Sequence, residues 1–191
     1  MCNLYSLTKG EQAIRDLACA MRDVTGNLPM FPGIFPECST SIVRNAPNGV
    51  RELSTARWGM PSPIFALKGR NSDPGVTNVR DVSSPHWRRW LGVESRPLAF
   101  FAGIWTRWKS VRKVKEGETE NDLFAFLTTG PNAVVAPVHP KAMPVILTTG
   151  AEIERWMTVP AKDALELQRP LPDDALRIVA RGKEEDGVDA A

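Results

Sequence analysis

Cysteine is scarce in this chain, with three in 191 residues, at Cys2, Cys19 and Cys38. An odd, small number without CxxC spacing argues against a disulfide framework and against a zinc site. A reducing cytoplasm is the expected home. Long apolar runs are also missing, and no stretch approaches the ~20 residues that a membrane helix needs. The start, MCNLYSLTKGEQ, has neither the basic nor the apolar region of a secretory signal. Histidine is limited to His86 and His139. There is no phosphate-binding glycine loop, no HExxH and no GxSxG, which removes the corresponding nucleotide, zinc-protease and serine-hydrolase readings. Internal repeats and low-complexity tracts are absent too.

The length fits one domain, long enough to bury a real core. Hydrophobic residues at 42% and charged residues at 24% are ordinary for a globular chain. Net charge is only +2, but it is unevenly placed. Between Arg80 and Lys115 nine Lys and Arg stand against Asp81 and Glu94, a local charge of +7. A basic centre in a nearly neutral chain suggests an anionic partner.

Thr8 and Glu11 form a T-x-x-E capping pattern, and Ile14, Leu17, Ala18 and Met21 follow at helical spacing, which predicts a helix over 9–23. The prolines and glycines of 26–36 and 61–75 read as loops. Ser84-Pro85 reads as an N-cap with a proline at the first helical position, opening a short helix through Trp90. Segments 41–43, 53–58, 98–105, 123–129, 145–149 and 176–180 read as strands. Thr149 and Glu152 make a second capping box, opening a helix through Met157. The fold class expected is α+β: a mainly antiparallel, barrel-like sheet with flanking helices over 1–181. A polar tail follows at 182–191.

Cys2 is the residue with the most distinctive chemistry. Removal of Met1 leaves an N-terminal cysteine whose amine and thiol have reference pKa values of about 7.7–8.0 and about 8.5. Each is partly deprotonated near neutral pH. Such an aminothiol condenses with an aldehyde through nitrogen, and its thiolate then closes a thiazolidine ring. Position alone leaves a second reading, an incidental cysteine at a frayed terminus. His139, in PVHPK, suits general acid/base work or is a loop histidine bonded to backbone. In TNVR, an extended backbone would point Asn78 and Arg80 the same way, and the planar fork of arginine suits phosphate. A solvated surface strand is the alternative. Trp87, Trp90, Trp105 and Trp108 interleave with basic residues in HWRRW and IWTRWKSVRKVK, as a single-strand platform does. Core packing for Trp90 and Trp105, and a merely solvated charged face, compete with that reading.

The motifs MCNLYS, WGMPSP at 58–63, NVR at 78–80, FFAGIW at 100–105, FLTT at 126–129 and HPKAMPVIL at 139–147 together resemble the SOS-response-associated peptidase (SRAP) family. The resemblance covers Met1 to about Arg181. It implies a protein that removes its own Met1 and bonds Cys2 covalently to the ring-opened aldehyde of an abasic site in single-stranded DNA. It implies Cys2 as nucleophile, with Asn78 and His139 as catalytic residues. Arg80 would contact phosphate, and Thr128 would line the same pocket. Lys141, Arg107, Lys109, Arg112 and Lys113 join them as expected DNA contacts. The chemistry needs no metal and no organic cofactor. The expected partner is abasic single-stranded DNA, bound by a monomer, with no membrane involved.

One departure stands out. The family's active-site Glu sits on a strand after the Asn-x-Arg motif. Here GVESR at 92–96 runs directly into PLAF at 97–100, as though an internal segment with that Glu were absent. Two rival readings follow: a non-catalytic single-strand-binding remnant, and a thiol peptidase acting on other proteins.

Overall fold

The computed structural model describes residues 4–7, 10–26, 28, 31–98 and 101–178. Cys2 and the tail at 182–191 lie outside them.

Strand β8 (Glu118–Thr129) is the hub of a seven-stranded sheet. It pairs antiparallel with β7 (Gly103–Val111) and β9 (Met143–Pro144), and parallel with β5 (Arg51–Trp58) and β6 (Asn78–Val79). The antiparallel β4 (Ser39–Asn45) and the short parallel β2 (Arg22–Asp23) flank β5. A separate ribbon pairs β1 (Tyr5–Leu7) with β3 (Phe31–Ile34). Antiparallel pairing dominates, as the sequence predicts, but the sheet is open rather than barrel-like.

The opening is visible along β7. Gly103 N–H donates to the Pro97 carbonyl, and the Val111 carbonyl accepts from Asp73. Strand groups alternate sides, so Trp105, Arg107 and Lys109 direct N–H and C=O outward between those two anchors. Among the described residues they meet no backbone partner there. Arg107 and Lys109 place charge on this bare edge, a feature that discourages edge-to-edge pairing.

Residues Leu123 to Thr128 of β8 are all buried, the continuous pattern of a strand covered on both faces. Trp58, Phe124 and Phe126 are buried and pack in contact, and Tyr5 meets Trp58, Phe101 and Phe126 edge to face. Each such ring contributes roughly 1.5–3 kcal/mol by burial. Burial pushes the Tyr5 phenol far above its ordinary value. Helix α3 (Gly150–Thr158) covers another part of the core with Ile153, Trp156 and Met157, spaced for one helical face. Its N-terminus carries the predicted capping box, Thr149 with Glu152.

The first helix differs from expectation. Helix α1 spans Glu11–Ala18, starts from Gly10 without a side-chain cap, and ends where Cys19 turns left-handed at φ 51°. Met21 N–H then donates to Arg51 and Val24 N–H to Leu53. Pairing with β5 therefore takes over the last turn of the predicted helix, and Met21 is left exposed. The segment 31–34 is a strand rather than loop, because β1 supplies its partner. The strand predicted at 98–105 starts at Gly103 and runs on to Val111, with Leu98 as an isolated bridge to Val43 and Ala102. At 145–149 the strand shifts upstream to β9, and 176–178 forms no strand.

Candidate functional site

The far end of β8 gathers most of the predicted site. Register sets Asn78 opposite Phe126 and Val79 opposite Leu127, and on the antiparallel side Thr128 opposite Pro144. Val79 is buried, while Asn78 is half-buried and Arg80 exposed, so the predicted alternation of faces holds. Asn78 Nδ2 donates to Thr77 Oγ1 at 2.7 Å. Arg80 Nη1 donates to the Lys141 carbonyl at 2.6 Å, which ties β6 to the loop holding His139. That loop is closed by His139 N–H donating to Val135 O at 2.7 Å.

The half-buried His139 places Nδ1 at 2.9 Å from the Ala142 carbonyl. A carbonyl only accepts, so Nδ1 carries the proton of the neutral ring and Nε2 is the basic nitrogen. A ring held this way can take and return a proton through Nε2.

Sequence reasoning missed Gln168. Its Nε2 donates to Arg80 O at 2.8 Å and to Thr128 O at 3.0 Å, clamping the ends of β6 and β8 together. No motif marks it. A glutamine after a short helical turn becomes informative only once the two carbonyls are seen side by side.

The basic run divides differently from expectation. The antiparallel ladder sets β7 cations against β8 acids: Arg107 pairs with Glu120 at 2.9 Å and Lys109 with Glu118 at 2.8 Å. Lys113 pairs with Glu116 at 3.1 Å. Arg112 is buried and ion-paired with Glu37, with Asp73 at 3.8 Å. It fills the space left by two glycines: a Cβ on Gly59 or on Gly75 (φ 74°) would run into its guanidinium. Arg112 therefore serves the fold and is withdrawn from the expected DNA contacts. Arg107, Lys109 and Lys113 are exposed but already neutralised. Arg80 and Lys141 carry no ion pair among the described residues, so the far end of β8 keeps unneutralised positive charge.

The tryptophans also separate. Trp87 and Trp90 are buried, and Trp105 is capped by Arg44 at 4.2 Å with its Nε1 donating to Glu94 O at 2.8 Å. Trp108 is half-buried, edge-on to Trp90.

Among the described residues no group of three or more His, Cys, Asp or Glu side chains is placed to hold a metal ion. Among the described residues no helix is long and apolar enough to cross a membrane.

An open, mainly antiparallel sheet with an Asn, Arg, Thr and His gathered at one strand end defines the class, and comparison with known proteins gives the family. The model of the family described as SOS response associated peptidase (SRAP) matches residues 82–183, more than half of the chain, which belongs to that family. Membership associates the chain with the SOS response to DNA damage, and in general terms with peptidases. Among solved structures it resembles a Bordetella bronchiseptica protein at TM-score 0.62 and 20% identity, covering 91% of this chain and 96% of that one. It resembles a Bacteroides thetaiotaomicron protein at 0.63 and 17%, covering 91% and 89%. A phage-related protein of Bordetella bronchiseptica aligns at 0.59 and 16%, covering 91% of each. At these identities the likeness is one of fold. No curated protein matches the chain.

Proposed function

We propose that this protein recognises abasic sites in single-stranded DNA and crosslinks to them through Cys2 after removing its own Met1. The observation that supports it most is the convergence of Asn78, Arg80, Thr128 and the His139 loop on one end of β8. Tyr5 is anchored against Phe126, the strand partner of Asn78, with ring centroids 5.0 Å apart. Tyr5 stands three positions after Cys2 in the sequence, and its anchoring beside that strand supports the reading.

The chemistry runs in two balanced steps. The α-amine of Cys2 adds to the aldehyde carbon of the opened sugar, and loss of water gives an imine. The thiolate then adds to the imine carbon, and the nitrogen takes a proton, closing the thiazolidine. Asn78 holds the terminus, and His139 moves protons on the opened sugar through Nε2. Arg80 and Lys141 receive the flanking phosphates. General acid/base assistance is typically worth 10²–10⁴-fold, so without a counterpart of the family Glu the reaction is expected to be slow.

Intact-mass spectrometry tests this directly. The purified chain should lack Met1, and an abasic oligonucleotide should give an adduct that survives denaturation. Cys2→Ser should give at most a reversible imine. Equal stable adduct from wild type and Cys2→Ser over hours would remove Cys2 as the nucleophile.

A further inference from the structure

The second concentration of unpaired positive charge surrounds a cavity away from the His139 loop. The turn at Pro61–Leu67, the start of α2 (Pro85–Arg88) and β7 line an open pocket of about 690 Å³, within the usual range of ligand sites. Trp108 and Phe65 supply aromatic surface, and Phe65 at the mouth is 75% exposed.

Charge points the same way. Arg70 and Arg89 both line the cavity, and neither has a carboxylate partner among the described residues, in contrast to Arg107 and Lys109 on β7. Arg89 is held in place: its guanidinium lies 4.0 Å over Trp90, and Nη2 faces His86 Nδ1 at 3.3 Å. His86 Nε2 in turn donates to Pro61 O at 2.9 Å, fixing the turn against α2. The one acid in the wall, Asp73, accepts from the N–H groups of Ser62 and Gly75 and faces Arg112, so its charge is used inside the fold. A cavity with aromatic walls and two guanidinium groups free of carboxylate partners matches a nucleoside phosphate.

We propose that this cavity is a nucleotide subsite, seating one undamaged base against Trp108 and Phe65 with its phosphate on Arg70 and Arg89. Trp108 pairs with Asn121 and Asn78 with Phe126. By strand alternation Trp108 and Asn78 lie on opposite faces of the sheet, so a single strand joining the two sites passes round the bare β7 edge. The subsite rests on the single-strand reading above and adds a contact to bases flanking the lesion.

The test uses undamaged oligo(dT) with the full chain, so no covalent step intervenes. Phe65→Ala and Arg70→Ala alter exposed side chains, and their melts verify folding. Each should weaken oligo(dT) binding by about tenfold, and a 5-iododeoxyuridine oligonucleotide should photocrosslink to Trp108 or Phe65. Wild-type affinity in both variants, or crosslinks confined to other peptides, would overturn the subsite. A dTMP arm separates the two sources of this chemistry: much weaker binding of dTMP supports a strand, and affinity equal to oligo(dT) rejects it in favour of a free nucleotide. The two readings fail separately. Full adduct yield with unchanged oligo(dT) affinity in the variants removes the subsite alone. No wild-type adduct with affinity still lost in the variants removes the crosslink alone.

Discussion

Arg80 Nη1 and the carbonyl oxygen of Lys141 meet at 2.6 Å, joining a two-residue strand to a loop 61 residues further along the chain. The bond holds the Asn78 strand beside the His139 loop, while the rest of the exposed guanidinium is free of ion pairs among the described residues.

Arg80 variants should separate those two roles. Arg80→Gln should weaken binding to abasic single strands and lower the salt slope by about 0.7, the value of one phosphate contact on a single strand. Arg80→Lys should keep the slope, because the charge remains, but slow adduct formation, because the Nη1 bond to the Lys141 carbonyl is lost. Fluorescence anisotropy across a salt series, with gel-based adduct rates, checks both. An unchanged slope in Arg80→Gln would take Arg80 out of phosphate contact.

Arg96 should be a liability for stability. It is buried, its Nη2 donates to Val159 O, and its guanidinium sits 5.3 Å over Trp156. Nε and Nη1 find no partner among the described residues. Burial holds its pKa below the ordinary arginine value, against the opposing pull of Glu94. Arg96→Met should therefore stabilise the fold by about 1–3 kcal/mol, raising Tm by roughly 2–4 °C per kcal/mol for a chain of this size. A melting point that falls would show that the charge is compensated.

Glu52 should shape the acid limb of stability. Its carboxylate is buried, and Arg22 and Arg44 both donate to it, with Arg44 Nε at 3.0 Å. Burial alone would raise its pKa, but the two arginines outweigh burial and the folded value is lowered. The stabilisation is therefore full above the unfolded carboxyl value of about 4.3. It is lost as pH falls through the lower folded value. Glu52→Gln should cost roughly 2–3 kcal/mol at neutral pH, below the usual 3–5 for breaking a buried pair because Arg22 can reach water. Its penalty should shrink as pH drops below 4, as urea melts between pH 7 and pH 3 would show.

Local patterns alone determined several features of this protein. The capping box Thr149–Glu152 opens α3, Ser84-Pro85 precedes α2, and the apolar run 123–128 is a buried strand. These succeed because cap bonds and side-chain periodicity act over a few residues. The motifs at 78–80 and 139–147 also marked one end of β8 as the candidate site.

Distant partners decided the rest. Residues 20–24 join β5 instead of extending α1, since the strand is present to receive their N–H groups. Arg107, Lys109, Arg112 and Lys113 read as one cationic run, and the acids of β8, Glu37, Asp73 and Glu116 neutralise it. Gln168 carries no motif, yet it clamps the two strand ends that position Asn78 and Thr128. A charge or an amide acts through whatever stands within hydrogen-bond or Coulomb range. That neighbour is set by sheet register, which links residues far apart in the chain and leaves no mark in the sequence around either of them.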